Sequence, residues 1–158
     1  MRKILLIFIA TLFAFSAARA QYDKAVGLRG GLSQGITFKY LTNESSGFEF
    51  IGSTRYEGVN LTVLFENHNP LGGVENLYYY YGFGGHLGWW DVENTNWERE
   101  EYETGNTVII GGDVILGIEY VFDEIPLSLS IDWKPAFNFI GHKNFWGDNG
   151  ALSVRYTF

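Results

Sequence analysis

The chain has no cysteine and only three prolines. Without cysteine there are no disulfides and no lipid-modified cysteine. The only long apolar run is at residues 4–15, so nothing after it is long enough for a helical membrane span, which needs roughly 18 or more apolar residues. Basic residues are few, 11 against 18 acidic residues. Nucleic acid is therefore not an expected partner.

The first twenty residues have the layout of a secretory signal peptide. Arg2 and Lys3 form a basic start, residues 4–15 an apolar core, and Ala18-Arg19-Ala20 a cleavage site of the A-x-A type. The alternative, a retained membrane anchor, needs a longer apolar run. We expect residues 1–20 to be removed and residues 21–158 to form one domain. That domain has eight basic and 18 acidic residues, a formal charge of −10.

Aromatic residues make up 18% of the chain, and there are 20 glycines. From about Ala25 onward, apolar and polar residues alternate with a period of two, and short turn-like segments interrupt them. The alternation predicts eight antiparallel strands. Their sequences are AVGLRGGL, ITFKYL, GFEFIGSTRY, VNLTVLFE, LYYYYGFGGHLGWW, TVIIGGDVILGIEYVF, LSLSIDWKPAFNF and ALSVRYTF.

The predicted connections alternate between two sides. Hairpin geometry pairs Leu32 with Ile36 and Tyr56 with Val59, which keeps the apolar faces together. Residues 67–76 are long for a turn on the side where both chain ends lie. The connections are 33–35, 57–58, 91–106 and 141–150 on one side, and 42–46, 67–76 and 123–126 on the other.

Volume indicates which face of the strands points inward. The apolar face carries more large side chains, Trp89 and Trp133 among them, than an eight-stranded barrel can enclose. The other face has glycine, serine, threonine and five basic against five acidic residues, a balance that suits an enclosed polar core. The predicted lumen network comprises Arg29, Lys39, Glu49, Arg55, Glu66, His86, Asp113, Glu119, Asp132, Lys134 and Arg155.

These patterns predict an all-β, eight-stranded, antiparallel, up-and-down transmembrane β-barrel. The last strand ends Tyr156-Thr157-Phe158, and in its alternation the chain resembles the small outer-membrane barrels of Gram-negative bacteria, the OmpA/OmpX type. The resemblance covers about residues 25–158 in architecture. It implies that the last strand closes the barrel against the first. It also implies a C-terminal signal for the assembly machinery at Leu152, Val154, Tyr156 and Phe158.

The histidines are the candidates for a catalytic base. His68 falls in a connection expected to face the periplasm, and His142 lacks the His-x-Ser arrangement of lipid A deacylase barrels. His86 projects inward beside the strand of Asp113 and Glu119, where a base oriented by an acid is one interpretation. A satisfied member of the polar network is the favoured one. No catalytic, metal or cofactor site is predicted, and the glycines of GFGGHLG are expected to make room for bulky neighbours.

Two connections are candidates for contacts outside the cell. Residues 91–106 hold six acids and one arginine, and are expected to be a solvated loop; a contact with anionic surface lipid or a macromolecule is the alternative. Residues 141–150 are expected to expose Phe145 and Trp146 as interfacial anchors, or alternatively as ligand-stacking residues.

The expected function is that of an exported outer-membrane protein, a monomer with a structural or interaction role. It would present residues 91–106 and 141–150 at the cell surface. Its expected partners are outer-membrane lipid, lipopolysaccharide, the barrel assembly machinery and periplasmic chaperones. One alternative is a narrow channel or small-solute binder that uses the charged lumen. A more remote one is a lipid-modifying enzyme.

Overall fold

The computed structural model describes residues 22–55, 58–91, 106–141, 145–147 and 149–158. Four features predicted from the sequence lie wholly or mostly outside the described residues. They are the signal peptide, the turn residue Glu57, the acidic connection within residues 91–106, and His142.

The described residues form ten strands and no helix long and apolar enough to cross a membrane. The strands are β1 (Lys24–Gly31), β2 (Gln34–Leu41), β3 (Ser46–Arg55), β4 (Gly58–Pro70), β5 (Leu77–Asp91), β6 (Asn106–Val121), β7 (Leu127–Trp133), β8 (Ala136–Ile140), β9 (Phe145–Trp146) and β10 (Gly150–Thr157). These ten strands fill eight positions in the wall, because β7 and β8 are successive segments of the seventh position and β9 and β10 are successive segments of the eighth.

Neighbouring positions in the wall pair antiparallel: β6 pairs with both β7 and β8, β7 pairs with β10, and β8 pairs with β9. The first strand, β1, pairs with β10 from Ala25↔Thr157 to Gly31↔Ala151. This ring confirms the predicted closed, eight-stranded antiparallel barrel. Backbone hydrogen bonds in both directions also join Lys24 and Phe158, at 3.0 and 2.8 Å. We call the end of the barrel that holds these two residues the terminal end, and the opposite end the distal end.

The wall bends where Pro135 interrupts the seventh strand. Proline has no N–H to give to a ladder, so β7 stops at Trp133 and β8 starts at Ala136. β6 pairs with both segments, and the Pro135 carbonyl still accepts a hydrogen bond from Val114 N at 3.0 Å. The wall therefore stays closed across the interruption.

Large apolar side chains cover the outside of the wall, and polar side chains fill the inside. Leu28 is 70% exposed, Phe83 66% and Ile131 62%, whereas Arg155 and Glu49 are fully buried. Inside, apolar side chains also pack at three levels, which the sequence interpretation missed. These clusters are Tyr22, Ala25, Leu41 and Val121 at the terminal end, Ile51, Leu64, Tyr80 and Ile115 in the middle, and Ile109, Ala136 and Trp146 at the distal end.

Two predicted hairpin pairings are wrong. Ile36 pairs with Leu28 rather than with Leu32, and Val59 pairs with Thr54 rather than with Tyr56. Both errors are even-numbered shifts, which leave every side chain on its predicted face of the sheet. The alternation of the sequence could not detect them for that reason.

The predicted long turn at residues 67–76 is also wrong. β4 continues to Pro70, and its last residues pair with the tyrosines of β5, His68 with Tyr80 and Pro70 with Tyr78. The turn itself is only residues 71–76, with positive φ at Gly73 and Asn76. The Asn-His-Asn-Pro sequence suggests a turn, but it follows the in-out alternation of the strand to its end.

Candidate functional site: the polar lumen

Arg155 lies at the centre of the polar lumen and joins three strands. Its guanidinium donates to Glu49 Oε1 on β3 at 2.6 Å and to Ser130 Oγ on β7 at 2.6 Å. A weaker contact of 3.4 Å reaches Glu119 Oε1 on β6. The planar guanidinium fork suits such a bridge because it offers several donors in fixed directions.

Lys39 supplies the second positive charge at this level. Its Nζ lies 2.9 Å from Glu66 Oε2 and 3.7 Å from Glu119 Oε2, and 4.2 Å from the centre of the Tyr80 ring. All these side chains are buried. Their charges therefore interact in a medium that screens them much less than water does.

His68 belongs to this group and does not lie in a terminal-end turn as the sequence suggested. Its ring stacks on Tyr80 with centroids 5.0 Å apart, and its Nε2 is 3.1 Å from Glu66 Oε2. The misplaced end of β4 explains the error. Glu66 and His68 are two residues apart, so a strand that continues past Asn67 places both inside.

A second ion pair joins two strands that lie on either side of β10 in the wall. Arg29 donates two hydrogen bonds to the Asp132 carboxylate, at 2.7 and 2.5 Å, and Tyr80 Oη donates a third at 3.1 Å. The pair is bidentate, which fixes the orientation of both side chains. It links β1 to β7.

A third group, towards the distal end, is centred on His86. Its Nδ1 lies 2.6 Å from Asp113 Oδ2, and its Nε2 lies 3.0 Å from Asn138 Oδ1. Lys134 makes an ion pair with the same Asp113 carboxylate. Both ring nitrogens of His86 are thus occupied by network partners, the arrangement of a structural histidine.

Trp146 covers this third group from the inside of the wall. Its ring lies nearly parallel to that of His86, with centroids 6.1 Å apart, and it is only 9% exposed. The prediction that residues 141–150 expose Trp146 is therefore wrong. β9 pairs with β8 and alternates like any strand, so Phe145 points out, at 61% exposure, and Trp146 points in.

The terminal mouth of the lumen is closed by Tyr22, which the sequence interpretation did not single out. Its hydroxyl donates to Glu119 Oε2 at 2.8 Å, and its ring packs with Ala25, Leu41 and Val121. Ser128 donates to the other Glu119 oxygen, also at 2.8 Å. A bulky aromatic just before β1 was the only available signal.

Glycines make room for the largest lumen side chains. A Cβ on Gly117 would lie 2.5 Å from Tyr80 Cζ and 2.8 Å from Asp132 Cβ. A Cβ on Gly111 would lie 2.4 Å from His86 Cε1. These separations are shorter than van der Waals contacts, so a side chain at either glycine would collide with a network residue.

Most of the predicted lumen residues meet inside the barrel. The three groups contain Arg29, Lys39, Glu49, Glu66, His86, Asp113, Glu119, Asp132, Lys134 and Arg155. The side chain of Arg55 lies outside the described residues. Leu152, Val154 and Phe158 lie on the outer face of β10 and its end, and Tyr156 is half-buried there. A role for these four residues as an assembly signal stays a prediction.

In the described part of the chain, no three histidine, aspartate or glutamate side chains are grouped to hold a metal ion. The sequence matches no protein-family model and no curated protein. A function must therefore follow from the surfaces and the lumen of the barrel.

Proposed function

We propose that this chain is an outer-membrane β-barrel of the small eight-stranded type, with a structural or interaction role. The observation that supports it best is the reversed distribution of side chains, apolar outside and charged inside. A soluble barrel would have the opposite arrangement. In a bilayer the apolar face contacts lipid, and the charged face is hidden from it.

The exposed apolar surface is too continuous for a protein surrounded by water. Leu28, Phe83 and Ile131 lie on different strands, and exposed apolar neighbours follow them all around the wall. Soluble monomers rarely expose contiguous apolar patches larger than a few hundred Å². The closed wall also satisfies the backbone hydrogen bonds, as a bilayer requires.

Aromatic rings at the strand ends support the same proposal. The rings of Tyr120 and Phe122 pack edge to face with centroids 4.9 Å apart, and the ring centroids of Tyr156 and Phe158 are 6.1 Å apart. All four residues lie close to the terminal end. Trp89 is exposed near the distal end of β5. Membrane barrels carry such aromatic residues where the acyl chains meet the headgroups.

The filled lumen favours a scaffold role over transport. In this proposal the terminal end faces the periplasm, and residues 91–106 and 141–150 face the exterior. The partners are outer-membrane lipid and lipopolysaccharide, with the assembly machinery and periplasmic chaperones as transient ones. We propose no catalytic role and no cofactor, and we expect a monomer because the closed wall needs no second copy.

Gel mobility tests the proposal directly. We expect the protein from an outer-membrane fraction to migrate faster in SDS when unboiled than when boiled, because a closed barrel resists the detergent until it is heated. A single heat-insensitive band recovered from the soluble periplasm would contradict the proposal. The fraction in which the protein is found tests its location independently of its fold.

Leu28→Arg tests whether the outer face contacts lipid. Leu28 is in the middle of β1 and points outward. In lipid vesicles we expect the free energy of unfolding to fall by about 2–4 kcal/mol. The matched control is Leu71→Arg, at an exposed position in the turn after β4, where little change is expected. Equal, small effects at both positions would mean that the outer face lies in water.

A conductance measurement distinguishes the scaffold function from the alternative function as a channel. Arg155, Lys39 and Tyr80 cross the lumen at its middle level, and Tyr22 closes its terminal mouth. We therefore expect the folded barrel to give no stable conductance steps in planar bilayers. Reproducible steps from the unaltered protein would favour the channel.

A further inference from the structure

Among the described residues, the middle level of the lumen holds one more acidic side chain than basic ones. Three carboxyl groups and two cations form ion pairs with one another there, and none of the five side chains is more than 1% exposed. They are Glu49, Glu66, Glu119, Lys39 and Arg155. A buried charge without a partner is costly, and proteins usually avoid it by neutralising the group. One additional proton is therefore expected at this level.

The other two polar groups of the described lumen supply no spare positive charge. Arg29 is paired with Asp132, and Lys134 is paired with Asp113, whose second oxygen contacts His86. Each of these groups is balanced by itself. The excess negative charge therefore has to be neutralised at the middle level.

Glu49 and Glu66 direct their side chains towards each other from neighbouring strands. On the ladder between β3 and β4, Glu49 is opposite Leu64 and Glu66 is opposite Gly47, so the two glutamates are diagonal neighbours on the inner face. Their carboxyl groups are in hydrogen-bonding contact. Two ionised carboxylates cannot make this contact, because each only accepts hydrogen bonds. A proton on one of them supplies the donor.

The nearby cations contact the other oxygen of each glutamate. Arg155 donates to Glu49 Oε1 at 2.6 Å, and Lys39 Nζ lies 2.9 Å from Glu66 Oε2. Glu49 Oε2 and Glu66 Oε1 are buried, and no side chain of the described chain donates to them. One proton between these two oxygens satisfies both with a single hydrogen bond. A proton also needs no cavity.

Glu119 and His68 are the other groups at this level that can take up a proton. Both oxygens of Glu119 already accept hydrogen bonds from hydroxyl groups, each at 2.8 Å. His68 Nε2 lies 3.1 Å from Glu66 Oε2, the oxygen that Lys39 also contacts. A protonated His68 would place a second cation beside the Lys39 ammonium. The pair of glutamates is therefore the better site.

We propose that Glu49 and Glu66 share one proton at neutral pH and form a proton-binding site that helps to close the middle of the lumen. Loss of the proton leaves three carboxylates against two cations, and their repulsion loosens this level. The site depends only on the interior, so it is independent of what the outer surface contacts. The other titratable or charged side chains around the pair are Tyr22, Arg29, Lys39, His68, Tyr80, Glu119, Asp132 and Arg155.

The pH dependence of unfolding tests the proton. In the unfolded chain both glutamates are ionised in water above about pH 7, so unfolding releases the shared proton. Stability therefore falls as pH rises, and one released proton increases the unfolding equilibrium constant about tenfold per pH unit. Between about pH 7 and 9 we expect this increase in the unaltered barrel and in Glu124→Gln, a control in an exposed turn. Glu66→Gln should lack it. The same pH dependence in all three proteins would overturn the proposal.

The stability of Glu66→Gln at neutral pH tests the neutral state of the pair. Glutamine has the shape of a protonated glutamate, and its amide can donate to Glu49 Oε2. We therefore expect an unfolding midpoint close to that of the unaltered barrel. The matched control is Glu119→Gln, where a carboxylate that accepts two hydrogen bonds and faces both cations is lost, and the midpoint should fall. An equally large fall for Glu66→Gln would show that Glu66 is ionised, which contradicts the proposal.

Infrared spectroscopy detects the proton directly, because a protonated carboxyl group has a carbonyl stretch that is separate from the carboxylate bands. We expect this band at neutral pH in the unaltered barrel and in Glu124→Gln, and its loss in Glu66→Gln. If the unaltered barrel has no such band, the additional proton is on His68, and the shared site is overturned.

Discussion

Arg155→Met is expected to lower the free energy of unfolding by about 3–5 kcal/mol, the usual cost of removing one partner from a buried ion pair. Methionine has a similar length but no charge. It would remove the guanidinium that lies 2.6 Å from Glu49 Oε1, and also the weaker ion pair of 3.4 Å with Glu119 Oε1. The measurement is urea unfolding in lipid vesicles, followed by gel mobility. Because Arg155 joins β10 to β3 and β6, the loss affects the closure of the whole barrel.

A second variant distinguishes the effect of the unpaired charge from the effect of lost packing in Arg155→Met. Adding Glu49→Gln to Arg155→Met removes the carboxylate left unpaired, so we expect the double variant to be more stable than Arg155→Met alone. Lys24→Ala, at an exposed position at the terminal end, controls for the loss of a basic residue and should change little. A loss below about 1 kcal/mol for Arg155→Met, the range of exposed pairs, would contradict the buried network.

Gly117→Ala is the second substitution with a large expected effect. Its methyl group would lie 2.5 Å from Tyr80 Cζ and 2.6 Å from Tyr80 Oη. Tyr80 could move only by losing its hydrogen bond to Asp132 and its contact with Lys39. We expect a loss of about 1–3 kcal/mol, as for other overpacked cores, measured by the same unfolding assay.

The outer face of the same barrel offers the control. At Gly52 a methyl group would meet Ile36 and Leu61 at 3.6 and 3.7 Å, ordinary contacts. Gly52→Ala should therefore be neutral or slightly stabilising. Adding Tyr80→Leu should recover part of the loss caused by Gly117→Ala, because leucine lacks the atoms that collide. Equal effects of alanine at Gly117 and Gly52 would mean that the lumen is not tightly packed.

The errors of the sequence interpretation have one physical origin. His68 and Trp146 were both assigned to connections. Both lie inside the barrel because the strands β4 and β9 run through segments that read as turns. The hairpin pairings of Ile36 and Val59 were wrong by even-numbered shifts. A period of two specifies a face of a strand, and it specifies neither the strand's end nor its partner.

The sequence does not show which acidic side chain pairs with which basic side chain inside the barrel. Arg29 and Asp132 are 103 residues apart, and Arg155 and Glu49 are 106 apart. Equal numbers of acidic and basic side chains on the inner face indicate that the buried charges can pair with one another. Which base contacts which acid depends on the stagger of the strands around the closed barrel. Each one-strand step displaces the inward side chains along the barrel axis.

The sequence by itself determined the strand class, the eight wall positions, the polar interior and the closure of the barrel by its last strand. Alternation and the limited volume of an eight-stranded interior are properties of the residues in order, so they can be read without coordinates. Only the tertiary structure decided the partners of Arg155, the place of His68 and the position of Trp146 against His86. Those follow from register and stagger, which arise when distant strands meet.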